Sequence, residues 1–181
     1  GGASLVSLLL YTGFIGLTGL ERLAELIVGR ANLKWSLAQG GVEHGEGHWP
    51  FMVVLHTGLL AGCLAETWLI RPEFAPAVGY GLLSLAVLCQ ALRWWCIRTL
   101  GQRWNPRVVV VPGLAPIRTG PYRWLSHPNY VAVVLEGIAL PGIHGAWWTA
   151  CIFTLLNAVL LTIRIRTENA ALATLPEQGS P

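Results

Sequence analysis

The sequence predicts an all-α polytopic membrane protein with about five transmembrane helices. Three observations carry that prediction. Hydrophobic residues make up 54% of the 181 and charged ones only 12%, where soluble domains carry roughly 25% charged. Apolar runs recur at about the length that crosses a hydrocarbon core. The basic residues fall mainly in the segments between those runs. A soluble domain of this size would need more polar surface than twelve basic and nine acidic side chains supply. A formal charge of +3 gives no footprint for nucleic acid. Cys63, Cys89, Cys96 and Cys151 sit inside apolar runs without a C-x-x-C pair, so they read as small buried hydrophobes rather than disulfides or metal ligands.

Leu5 to Leu20 is apolar apart from Ser7, Tyr11 and Thr12 and then meets Glu21-Arg22. It reads as a first membrane helix, extended along the interface by the turns ERLAELIVGR. No basic stretch or small-x-small site marks it as a cleaved signal. Asn32 to Pro50 reads as a solvated, flexible loop. It holds His44 and His48 with Glu46 between them. This spacing would suit zinc on a helix, but the interleaved glycines argue against one, and no metal is expected. Phe51 to Ile70 is a second span ended by Arg71-Pro72-Glu73, with Glu66 near its outer end. Ala77 to Cys96 is a third, closed by Arg93, Trp94, Trp95 and Arg98.

A polar island follows from Leu100 to Tyr130. Asn129 to Ile143 then forms a fourth helix of only about 22 Å, broken at Pro141-Gly142. Ala146 to Ile163 is the fifth and runs into Arg164-Ile165-Arg166-Thr167-Glu168. The tail LPEQGSP reads as disordered. Residues 1–181 read as a single membrane domain. Ten of the twelve basic residues fall on the island's side: Arg22, Arg30, Lys34, Arg98, Arg103, Arg107, Arg118, Arg123, Arg164 and Arg166. That bias predicts an outside N-terminus, a cytoplasmic C-terminus and an active face toward the cytoplasm.

The polar residues that carry chemistry are few. Asn157, Arg164 and Glu168 are spaced by seven and four, so they share a helix face from which Arg166 diverges. Spacing leaves two readings equally open, a binding face or a snorkelling arginine bridged to a glutamate four residues on. Glu136 lies mid-helix, where a carboxylate costs at least ~2.5 kcal/mol unless it faces a cavity or a cation. A tie to Arg93 or Arg98 of the third helix is the favoured reading, with a catalytic role kept open. His56, alone on an apolar face, reads as a hydrogen-bonded packing residue. Pro128 predicts that the fourth helix starts there, with Ser126 or His127 near its cap, and such an N-terminus suits an anionic group. Gly120-Pro121-Tyr122 supplies a tight turn beside it, and Arg118 and Arg123 add bidentate donors. These residues describe an anion-binding mouth or, equally, ordinary juxtamembrane arginines.

The combination Gly120-Pro121-Tyr122-Arg123, His127-Pro128-Asn129-Tyr130, Glu136 and Arg164-Ile165-Arg166-Thr167-Glu168 resembles the isoprenylcysteine carboxyl methyltransferase family. Leu100-Gly101-x-x-Trp104 and Val111-Pro112-Gly113 agree with it. Where the family usually carries Glu-Glu, this chain has Glu168-Asn169, so one carboxylate stands at that step.

The resemblance implies an enzyme that uses S-adenosylmethionine to methylate an oxygen of a small lipidic substrate drawn from the bilayer. The acceptor would be a prenylcysteine-like carboxylate or a phenolic or polyketide lipid. The expected setting is a bacterial inner membrane. The cofactor would be held by about 98–130 with 157–172, through Trp104, Val111, Gly113, Gly120, Tyr122, Arg123, His127, Pro128, Tyr130 and Glu168. Arg164, Glu168 and Glu136 are the implied catalytic residues. A carboxylate acceptor needs no base, whereas a phenol would draw on Glu136, His127 or Glu168. Two alternatives compete with this: an NADPH-dependent lipid reductase of the steroid-reductase type, whose phosphates the arginines would suit, and a non-catalytic lipid-binding membrane subunit.

Overall fold

A computed structural model describes residues 2–175, and the expectation for the tail beyond Leu175 lies outside them. Five α-helices carry the architecture: α1 Leu5–Ala38, α2 Trp49–Ile70, α3 Pro76–Leu100, α4 Pro128–Gly142 and α5 Trp147–Ala173. Four of them, α1, α2, α3 and α5, are long and apolar enough to cross a membrane. The 15-residue α4 is about 22 Å long, as its sequence length requires.

The first helix corrects the sequence reading. It continues without a break through Glu21-Arg22 to Ala38, 34 residues in all, because the charged residues in its middle are buried against partners rather than laid along an interface. Ser4 caps its start by accepting from the Ser7 N–H at 3.2 Å. At its far end Asn32 Nδ2 donates to the carbonyls of Gly101 and Trp104 at 3.1 and 2.8 Å.

Gly29 lets the loop after α3 lie directly on α1, since a Cβ there would meet Pro106 Cδ at 2.5 Å. The segment expected to be a flexible loop is instead ordered. Its residues up to Ala38 are helical, and β1, Val42–His44, pairs antiparallel with β2, Val108–Val110, in the register Val42 to Val110 and His44 to Val108. Arg107 Nη1 bridges to Glu43 at 2.9 Å and its guanidinium lies 4.7 Å over the Trp49 ring.

The helix ends sort into two groups. At one end the Ala3 N–H donates to the Arg71 carbonyl at 3.2 Å and His144 meets the Ser7 hydroxyl at 3.0 Å. Glu66 caps α5 there, accepting from the backbone N–H groups of Thr149 and Trp148 at 2.7 and 3.2 Å, a structural duty that its place near the outer end of the second span did not reveal. The β1–β2 ribbon, the island and the last turns of α5 meet at the other end. Between the two, Tyr11, Ile15, Leu59, Cys63, Ala86, Val133, Leu140 and Phe153 form the core. Leu10, Leu17, Ile27, Val54, Leu155 and Val159 stay exposed on the perimeter, which a hydrocarbon surrounding accounts for.

Candidate functional site

Two zones meet where α4 begins. The first is a cavity of about 540 Å³ walled by α1, α2, α4 and α5, apolar for most of its length. Four of its charged residues, Arg22, Glu25, Arg93 and Glu136, form a closed set. Arg93 Nε donates to Glu136 Oε1 at 2.6 Å and Arg93 Nη1 to Glu25 Oε1 at 2.9 Å. Arg22 reaches Glu25 at 3.2 Å, Gln90 at 3.0 Å, and also Glu136 and Glu21. The favoured Glu136 tie is therefore present, with Arg93 as partner rather than Arg98, which is exposed. Arg22 and Glu25 were missed as part of it. Their spacing of three beside an apolar run was the available signal, hidden by the assumption that the first helix leaves the membrane at Leu20.

The second zone is built from the island and the end of α5. His127 is the N-cap of α4 and Pro128 its first residue; the Tyr130 and Val131 N–H groups donate to the His127 carbonyl at 3.1 and 3.4 Å, which leaves the Asn129 N–H of the first turn free to face a ligand. Arg164, only 5% exposed, does not pair with Glu168 one turn on. Its Nη2 donates to the Pro106 carbonyl at 2.6 Å and its Nε to the Tyr130 hydroxyl at 3.4 Å. That hydroxyl donates to Glu168 Oε2 at 3.0 Å. His127 stacks on Tyr130 with centroids 5.1 Å apart and holds Nδ1 3.8 Å from the same carboxylate oxygen. Arg164, Tyr130, Glu168 and His127 thus form one connected group, and Arg164 and Tyr130 also line the apolar cavity.

The remaining expected residues divide. Tyr122 is half-buried, and burial pushes its phenol above the ordinary value, so it remains a neutral donor. Gly120 has φ 55° and approaches α3 so closely that a Cβ would meet Thr99 Oγ1 at 2.5 Å, which fixes the turn beside Tyr122. Gly113, φ 83°, faces open space, and Val111 packs on Gly41 at the end of the ribbon. Trp104 is 3% exposed and lies against Gly29 of α1, so it props the island on the helix. Arg118 and Arg123 are exposed, Arg123 with its guanidinium 5.1 Å over Trp124, and neither has a carboxylate partner among the described residues. Asn157, on the same face of α5 as Arg164 and Glu168, is buried. Its Oδ1 and that of Asn129 are buried without a hydrogen-bond partner among the described residues, and Asn129 lines the cavity. Among the described residues no His, Cys, Asp and Glu group is arranged to hold a metal.

Comparison with known proteins agrees with this layout. A family model described as isoprenylcysteine carboxyl methyltransferase matches residues 82–174, the stretch that contains α3 from Leu82, the island, α4 and α5. The Uncharacterized protein YpbQ of Bacillus subtilis (strain 168) is 37% identical over 154 residues, which cover 84% of this chain and 90% of that protein. No solved structure gives a match. With half its length matched by the family model and most of it aligned to that relative, the chain is an integral membrane protein that belongs to the isoprenylcysteine carboxyl methyltransferase family, a membership that points to methyl transfer.

Proposed function

We propose that this protein transfers a methyl group from S-adenosylmethionine to an oxygen of a lipidic acceptor lodged in the apolar cavity. One observation carries the reading: Arg164 and Tyr130 belong both to the cavity wall and to the polar group that includes Glu168 and His127. A charged donor and a greasy acceptor then meet at one seam.

The residues present fit such a donor. Arg118, Arg123 and the α4 N-terminus suit its carboxylate. Glu168 retains accepting capacity for an amine or ribose hydroxyls, and the β2 valines offer an apolar edge to a base. The buried, unpartnered Oδ1 of Asn129 supports a ligand that brings a donor group to this place. When bound, S-adenosylmethionine supplies an electrophilic methyl on a sulfonium sulfur.

The chain's own residues do the rest. Arg164, tied to a carbonyl and a hydroxyl rather than to a carboxylate, keeps its positive charge available to orient an anionic acceptor oxygen. The cavity walls exclude water, and holding both reactants in line supplies ~7 to 11 kcal/mol when the geometry is good. A carboxylate acceptor needs no proton acceptor, whereas a hydroxyl acceptor would pass its proton to Glu168 or His127. The positive-inside bias supports an active face on the cytoplasmic side of a cell membrane.

Titration calorimetry of the detergent-solubilised protein with S-adenosylmethionine is expected to show one binding site. Incubating membranes with isotopically labelled donor should yield lipids heavier by one methylene unit. Binding of NADPH in place of S-adenosylmethionine would reject the proposal.

A further inference from the structure

Deep in the cavity Arg22, Glu25, Arg93 and Glu136 pair with one another, and one polar residue on the wall at that depth stands outside the set. His56 reaches the cavity from α2, and its Nε2 is buried with no hydrogen-bond partner among the described residues. The ring is held edge-on to Phe153, centroids 5.5 Å apart. Phe153 in turn lies against Gly137, where an added Cβ would come within 2.5 Å of its ring. His56 is therefore fixed at the level of Glu136 and Gly137, six to seven residues along α4 from Tyr130, or about 9 Å deeper than the seam. A phenylalanine would make the same aromatic contact without burying an unpaired nitrogen, which costs stability. Packing alone does not account for an imidazole here, contrary to the sequence reading of a hydrogen-bonded packing residue.

We propose that His56 recognises a second polar group of the acceptor, carried deeper in the cavity than the oxygen that is methylated. The substrate is then a lipid whose head bears at least two polar functions, not a plain chain ending in one. That second group is neutral, a hydroxyl or a carbonyl. The nearby Arg22, Glu25, Arg93 and Glu136 already pair with each other, while an imidazole accepts from a hydroxyl or donates to a carbonyl according to its tautomer. The inference rests on the methyl-transfer reading for the identity of the acceptor, but the binding it asserts can be measured without the donor.

The test uses the full chain in lipid nanodiscs and two probe pairs of equal alkyl length: an alkylresorcinol with its alkylphenol, and an alkyl-dihydroxynaphthalene with its alkylnaphthol. Equilibrium binding to the unaltered protein is expected to favour the two-hydroxyl member of at least one pair by about tenfold, the scale of one buried hydrogen bond. His56→Phe should abolish that preference and leave the one-hydroxyl affinity unchanged, and His56→Gln should restore part of it. If His56→Phe does not fold, His56→Leu takes its place. The proposal is overturned by the absence of any preference in the unaltered protein, by its persistence in the Phe or Leu variant, or by equal weakening of both members. S-adenosylmethionine binding is read in parallel. Its absence with the His56 preference intact would sink the methyl-transfer reading and leave the subsite standing.

Discussion

The Arg22–Glu25–Arg93–Glu136 cluster lines the cavity that the Arg164–Tyr130–Glu168–His127 group reaches through Arg164 and Tyr130, yet the two handle charge in opposite ways. In the first, every guanidinium meets carboxylates from another turn or another helix, so α1, α3 and α4 are tied together. In the second, a buried arginine and a carboxylate four residues apart on α5 do not pair; each is held by a neutral or weakly charged neighbour instead. Buried ions that neutralise each other locally serve architecture, because removing a partner leaves an expensive charge. A buried ion held by a carbonyl and a hydroxyl keeps its charge available, which is what a site for a charged reactant requires.

Breaking the closed cluster should cost the most. Glu136→Ala removes one of the two carboxylates that hold the buried Arg93 and leaves it sharing Glu25 with Arg22, and is expected to lower stability by about 3 kcal/mol, read as a fall in the thermal midpoint in detergent. The double change Arg93→Leu with Glu136→Leu should destabilise less than the sum of the single changes. Equal or additive losses would show that the cluster is not acting as a unit.

At the open group the expected order reverses, with function failing before fold. Arg164→Lys keeps the charge but loses the planar fork that spans the Pro106 carbonyl and Tyr130. Turnover is expected to drop about a hundredfold while detergent unfolding stays near that of the parent. A loss of fold matching that of Glu136→Ala would erase the distinction between the two regions.

Tyr130→Phe sharpens the comparison further. It removes only the hydroxyl linking Arg164 to Glu168, about 1 kcal/mol or a fivefold to tenfold effect on donor affinity, measurable by calorimetry. The smallest effect is expected at the rim. Glu43→Gln breaks the part-exposed bridge to Arg107 between β1 and β2 and should cost only about 0.2–1 kcal/mol, with donor affinity unchanged.

Much of the second region was legible in the sequence. The spacing of Asn157, Arg164 and Glu168 put them on one face, and Pro128 marked where α4 begins. Both are local consequences of helix geometry and of proline's missing donor. The cluster was legible only in half. Glu136 demanded a cation and the third helix offered one, but Arg22 and Glu25 were assigned to an interface because hydropathy treats a charged turn as an exit from the membrane. A burial that rests on partners more than sixty residues away leaves no trace in that average. Trp104 shows the converse, since its place in a family pattern says nothing of whether its ring faces a ligand or, as here, props a loop on Gly29.

Composition and periodicity determined the class of this protein, its helices and the position of its arginines, because hydrophobic length and helical repeat are properties of contiguous residues. The tertiary structure alone decided which charges neutralise each other and which stay available, that a glycine-rich stretch pairs with Val108–Val110 across the chain, and that His56, beside a cavity, keeps a nitrogen unpaired among the described residues. Pairing, cavities and unmet hydrogen bonds exist only between segments brought together by packing, and their energies depend on distances of a few ångströms that no local pattern encodes.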